Sequence, residues 1–149
     1  MRQNRIPVKV ELDKRGIDLG SLRCSLCDND LESVEHIFLH CPIAKEIWDR
    51  IFRWWNLSSP VLSNIEDVCQ ERDNSGLSSK IWQGVKWVGC YLIWQNRNNL
   101  IFRGKVGNGP TILNEVQVKS FEWISKRSRK SHIDWNRWLL NPKDIDDYG

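Results

Sequence analysis

A chain of 149 residues is the size of one domain and can bury a core without covalent staples, and its 40% hydrophobic and 28% charged residues exclude a disordered or membrane-embedded class. No window approaches the roughly 18 uninterrupted apolar residues of a membrane span, and "MRQNRIPVKVELDKRG" lacks the apolar core of a secretory signal, so the expected setting is a reducing intracellular compartment with no membrane partner. The formal charge of +3 is too weak a field to define a partner by itself.

Apolar residues recur at three and four positions, so helices are expected almost throughout. "PVKVELDKRG" predicts a short helix with Pro7 in its first turn and Gly16 as its stop. "IDLGSLRCSLCDND" then reads as a loop or tight hairpin. "ESVEHIFLHC" predicts a short helix with Ser33 as N-cap and acidic residues near its start, where they suit the helix dipole, and Pro42 interrupts it. "PIAKEIWDRIFRWWNL" restarts as an amphipathic helix with Ile43, Ile47, Trp48, Ile51, Phe52 and Trp55 on one side. Trp54 and Trp55 are adjacent, so at most one of them faces inward.

The polar stretch "SSPVLSNIEDVCQERDNSGLSS" predicts a connection holding one short helix. A long helix follows over "KIWQGVKWVGCYLIWQNRNNLIFRG". Its centre, Trp87 to Trp94, is apolar nearly all round, which predicts a buried spine. "GKVGNGP" breaks it, Pro110 opens a last long helix over "PTILNEVQVKSFEWISKRS", and Trp135, Trp138 and Leu139 of the tail pack back on the body.

Three of the five cysteines and two of the three histidines fall in "CSLCDNDLESVEHIFLHC". Two thiolates spaced as Cys24 and Cys27 on a tight turn can face one tetrahedral ion, and His36 with Cys41 can close the shell. Four protein ligands leave no position for water, so the expected cofactor is one structural Zn2+ ion. His40 lies at a zinc-finger distance from Cys27, but no His or Cys follows at the required spacing. It also adjoins Cys41, and neighbours in a helix point about 100° apart. His36 is therefore the expected ligand, with His40 at the surface or behind the shell. The competing readings are a disulfide framework, a redox CxxC, a nucleophilic thiol and simple core packing. A reducing compartment, the absence of a βαβ pattern and the matched spacing weigh against them. Cys69 and Cys90 have no partner spacing and read as core.

These residues support a mostly α fold with few or no strands, in which a small zinc-bound loop–helix knuckle packs on a helical bundle. The expected organisation is a zinc-binding module over 1–58, a polar connection over 59–79, a helical region over 80–141 and an acidic tail over 142–149.

"CSLCDNDLESVEHIFLHCPIAKEIW" resembles the reverse-transcriptase zinc-binding domain at the C-terminal end of plant LINE-type (non-long-terminal-repeat) retrotransposon polyproteins, on Cys24, Cys27, His36, Phe38, Cys41, Pro42 and Trp48. "LIWQNRNNLIFRGK" and "WISKRSRKSHIDWNRWLLNP" are similar to later segments of such polyproteins. The resemblance implies a retroelement-derived fragment, contact with RNA or DNA or with the rest of the polyprotein, no small-molecule substrate, and a nuclear location. The sequence departs from a polymerase: no palm with a Y-x-D-D turn, no endonuclease and no ribonuclease H segment is visible, so no catalytic residue is expected.

Lys126, Arg127, Arg129 and Lys130, with Arg97 and Arg103, are the candidate nucleic-acid contacts, since cations neutralise phosphates and exposed rings stack on unpaired bases. The competing function is a protein-interaction module that presents a Trp-rich face above a purely structural zinc site. Tryptophans at helical spacing, such as Trp82, Trp87 and Trp94, otherwise read as core.

Overall fold

The computed structural model describes residues 6–58, 80–127 and 133–143. The first helix, α1 (Lys9–Lys14), begins two residues after Pro7, because Val8 is extended and fully buried. It ends as the sequence predicts. Gly16 takes a positive φ of 83°, its amide donates to Asp13 O, and that of Ile17 reaches back to Leu12 O, which satisfies the last carbonyls. A tight hairpin follows with one isolated antiparallel bridge, Arg23 to Leu31, and no strand is present among the described residues.

A single wide π turn, His36–His40, leads into α2 (Pro42–Trp54). Pro42 stands at the start of α2, where its missing N–H costs nothing. Ala44, Ile47, Trp48, Ile51 and Phe52 form the buried stripe, and Trp55 just beyond the helix is fully buried too. Asn56 stops it with a φ of 53°.

The next helix, α3 (Lys80–Arg103), is the longest, and α4 (Gly109–Arg127) runs back along it after a short turn. Two glycines on α3 let its neighbours come close. A Cβ on Gly84 would stand 2.3 Å from the Trp123 ring of α4, and one on Gly89 would stand 3.1 Å from Trp48 and Ile51 of α2. Asn108 caps α4 by accepting from the Thr111 amide at 2.9 Å, with Pro110 in the first turn. The short α5 (Trp135–Leu140) is capped by Asp134.

Most tryptophans are core. Trp48, Trp55, Trp82 and Trp138 are essentially inaccessible, and Trp55 lies between Trp82 (ring centroids 4.8 Å apart) and Trp138 (6.0 Å). Trp138 Nε1 donates to Gln117 O at 2.9 Å, which fixes the tail on α4 as expected. Of the adjacent pair, Trp55 points fully inward. Trp54 is half-buried because α5 covers it, its Nε1 donating to the carbonyls of Trp138 and Leu139 at 3.2 and 3.1 Å.

The expectation of a spine buried all round does not hold. Trp87 and Tyr91 are exposed (38% and 52%), because α2 and α4 cover only part of α3 and nothing among the described residues closes the remaining face. The core nevertheless runs through both halves of the chain: α2 packs on α3 and α4, and the π turn packs on α2 and α3. The predicted connection over 59–79 and the end of the acidic tail lie outside the described residues. No helix among them is long and apolar enough to cross a membrane.

Candidate metal centre

The hairpin sets the first two ligands. Cys24 N donates to Asp30 O at 2.7 Å and Glu32 N to Leu22 O at 2.8 Å, which hold the two arms together. Between them Asp28 N closes a turn on Cys24 O, with Asp28 itself at a positive φ of 56°. This tight turn presents the Cys24 and Cys27 sulfurs to the same side.

The π turn sets the other two. In an α-helix, residues five apart point about 140° away from each other. Winding with an i→i+5 hydrogen bond, at about 4.4 residues per turn, reduces this to about 50°. The Cys41 amide makes that bond, donating to His36 O at 2.7 Å, and the four-residue gap between the ligands becomes compatible with one ion. Ser33 Oγ accepts from the His36 amide at 3.1 Å, so the predicted cap anchors this ligand directly.

The four donor atoms, from Cys24, Cys27, His36 and Cys41, all lie within 4.8 Å of one another. The Cys24 and Cys41 sulfurs are 3.9 Å apart, and Cys27 Sγ is 3.2 Å from His36 Nε2. A tetrahedral zinc shell requires edges of about 3.8 Å between two sulfurs and about 3.6 Å between sulfur and nitrogen. The donors therefore fit zinc, and a sulfur separation of 3.9 Å is far from the ~2.05 Å of a disulfide. All three thiols are free. His40 is exposed at the end of the turn, whereas His36 is buried.

The electrostatics favour a cation. Hydrogen bonding with Cys41 brings the Cys24 thiol down to about 5 against the opposing effect of burial, and the amides of Cys27 and Leu26 assist. The same contact and burial push Cys41 up, with the Ile43 amide in the first turn of α2 opposing. Without an ion the two sulfurs thus hold one proton between them. A divalent cation held by these residues would replace that proton and let both act as thiolates.

Spacing did not reveal the support behind the centre. Glu32 was expected to serve the dipole of the following helix. Instead its carboxylate is fully buried, accepting from Arg97 Nη2 at 2.6 Å and from the Lys9 amide at 3.1 Å. Lys9 Nζ donates to Arg23 O at 2.7 Å. One carboxylate thus joins α1, the knuckle and α3. A lone Glu between a hairpin and a Ser cap carries no sequence signal of burial.

The same pair corrects Arg97 as a phosphate contact. The residue is buried, and its guanidinium is ion-paired to Glu32 and stacked 4.7 Å over the Trp94 ring, so desolvation and pairing keep it from solvent. Arg103 and Lys126 are exposed. They sit at opposite ends of the antiparallel α3–α4 pair, on the order of 25 Å apart, and do not form one patch. The Arg127 side chain, Arg129 and Lys130 lie outside the described residues.

No curated protein and no solved structure matches the chain. Residues 1–48, which include all four ligands and the first half of α2, match the family described as zinc-binding in reverse transcriptase. Sequence family, donor set and geometry agree on the same four residues, and residues 1–48 are similar to the zinc-binding domain of reverse transcriptases.

Proposed function

We propose that the zinc centre is structural and non-catalytic, and that it fixes the N-terminal hairpin on the helical body of a retroelement-derived reverse-transcriptase fragment. The observation that carries this reading is the closed quartet: four protein donors at tetrahedral separations, three of them buried, leave no position for a water or substrate. When bound, zinc supplies cross-linking of the turn at Cys24–Cys27 to the π turn. The chain's own residues do the rest, with Ser33 holding the His36 backbone and Glu32–Arg97 holding the knuckle against α3.

A plant LINE-type polyprotein is the proposed parent, and the proposed working partner is RNA or DNA in the nucleus. The exposed Lys126 and Arg103 support a phosphate contact. The rival reading, a Trp-rich protein-docking face, is weakened because among the nine tryptophans only Trp87 is exposed. Hydrogen exchange with and without a chelator tests the structural role. Loss of protection centred on residues 20–42 is the expected result, and unchanged protection there would refute it.

A further inference from the structure

The open face of α3 runs from Trp87 to the basic end at Arg103, and Lys80 stands at the other end beyond Gly84, which Trp123 of α4 covers. Lys80, Trp87, Tyr91, Asn98 and Phe102 fall within about 40° of one line along the helix. Phe102 is 77% exposed, Tyr91 52% and Trp87 38%. Gln95 Nε2 donates to Tyr91 Oη at 2.9 Å, which ties the two side chains together on the helix surface. Trp94, beside this line, is not available, because Phe38 and Arg97 pack on its ring.

Charge along α3 itself has one sign. From Lys80 to Asn114 the sequence contains no Asp or Glu and five Lys or Arg residues. Two of these, Lys86 and Arg97, are buried. Lys80 remains exposed at one end, which is also the Lys126 end of α4, and Arg103 and Lys105 remain exposed at the other.

We propose that this face is a binding track for a single nucleic-acid strand with unpaired bases, a proposal that rests on the nucleic-acid reading given above and names its surface. The rings of Trp87, Tyr91 and Phe102 stack on bases, while Lys80 and Lys126 at one end and Arg103 and Lys105 at the other meet phosphates. Trp87 and Phe102 are about 22 Å apart along the axis, which spans about four nucleotides, the lower limit of strand-binding sites. A duplex fits poorly, since its bases are already stacked and offer no free faces. A protein partner fits less well than a strand, because the rings form a file interrupted by Gln95 and Asn98 and do not make one broad apolar patch.

The test uses the full zinc-loaded chain and fluorescence anisotropy of a labelled oligothymidylate at low salt, with the matching duplex as control. Trp87→Ala, Tyr91→Ala and Phe102→Ala should each weaken strand binding about 5- to 150-fold, and Tyr91→Phe should leave it unchanged. The duplex should bind more weakly than the strand. Bound zinc and helicity are checked in every variant, and Phe102→Ala, at the most exposed position, decides the test if another variant misfolds. If the wild type binds the strand and the alanine variants bind equally well, this track is wrong while the broader nucleic-acid reading stands. If the wild type binds neither strand nor duplex, both fall, and binding to the duplex alone overturns this track while the broader reading stands. Loss of self-association in the same variants, without strand binding, would make the face an interface between copies and overturn the proposal.

Discussion

Arg97→Met is the perturbation that most sharply separates a buried structural arginine from a phosphate contact. Among the described residues it removes the one cation paired with Glu32, whose carboxylate is fully buried and keeps the Lys9 amide as a donor to Oε1. Breaking one side of such a pair typically costs about 3 to 5 kcal/mol, because a desolvated charge is left uncompensated. Loss of the guanidinium over the Trp94 ring adds about 0.5 to 2 kcal/mol. Arg97→Met should therefore destabilise the zinc-loaded chain by about 3 kcal/mol or more. Glu32→Gln/Arg97→Met should recover much of this, since neither partner is then charged and the methionine fills similar volume. Urea unfolding followed by tryptophan fluorescence measures both. A single-variant loss below about 0.5 kcal/mol, in the range of an ordinary surface change, would show that the pair does not hold the knuckle to α3.

His36→Ala and Cys24→Ser should each abolish stoichiometric zinc binding, whereas His40→Ala should retain it; elemental analysis decides, and zinc loss in the His40 variant would mean the exposed histidine is the ligand. Gly84→Ala should cost about 1 to 3 kcal/mol, because its Cβ would stand 2.3 Å from the Trp123 ring, and a neutral result in denaturant would mean the α3–α4 contact yields freely. Closure of the metal-free knuckle, which opens more often than with zinc bound, should have a pH optimum. Cys24 is ionised above about 5 when folded but only near 8.5 when unfolded, so the unfolded chain binds more protons between these values and stability rises with pH there. Above about 8.5 the raised Cys41 keeps its proton only in the folded state, and stability falls again. Unfolding titrations in chelator across this range check it, and a flat profile would contradict the shared proton.

The ligands were legible because metal chemistry fixes residue types and spacing together, as in Cys24, Cys27, His36 and Cys41. Helix limits were legible where backbone chemistry is local: Gly16 and Pro42 act where they stand, and Ser33 caps the His36 amide. The π winding was not, since it is the tertiary demand of two ligands five residues apart that overrides the α geometry of "HIFLH". Burial of Glu32 and Arg97 was hidden for a related reason. Each looks solvated alone, and only the packing of α3 on the hairpin brings them together. The open face of α3 escaped notice because apolar residues surround that helix, leaving no polar stripe to mark which side its neighbours would leave uncovered.

X-ray absorption at the zinc edge of protein purified without chelator tests the central claim most directly. One equivalent of zinc should show three sulfurs at about 2.3 Å and one nitrogen at about 2.0 Å, with no oxygen in the shell. A shell containing a water oxygen, two nitrogens or fewer than three sulfurs would contradict the closed Cys24, Cys27, His36 and Cys41 centre and, with it, the structural role assigned to the metal.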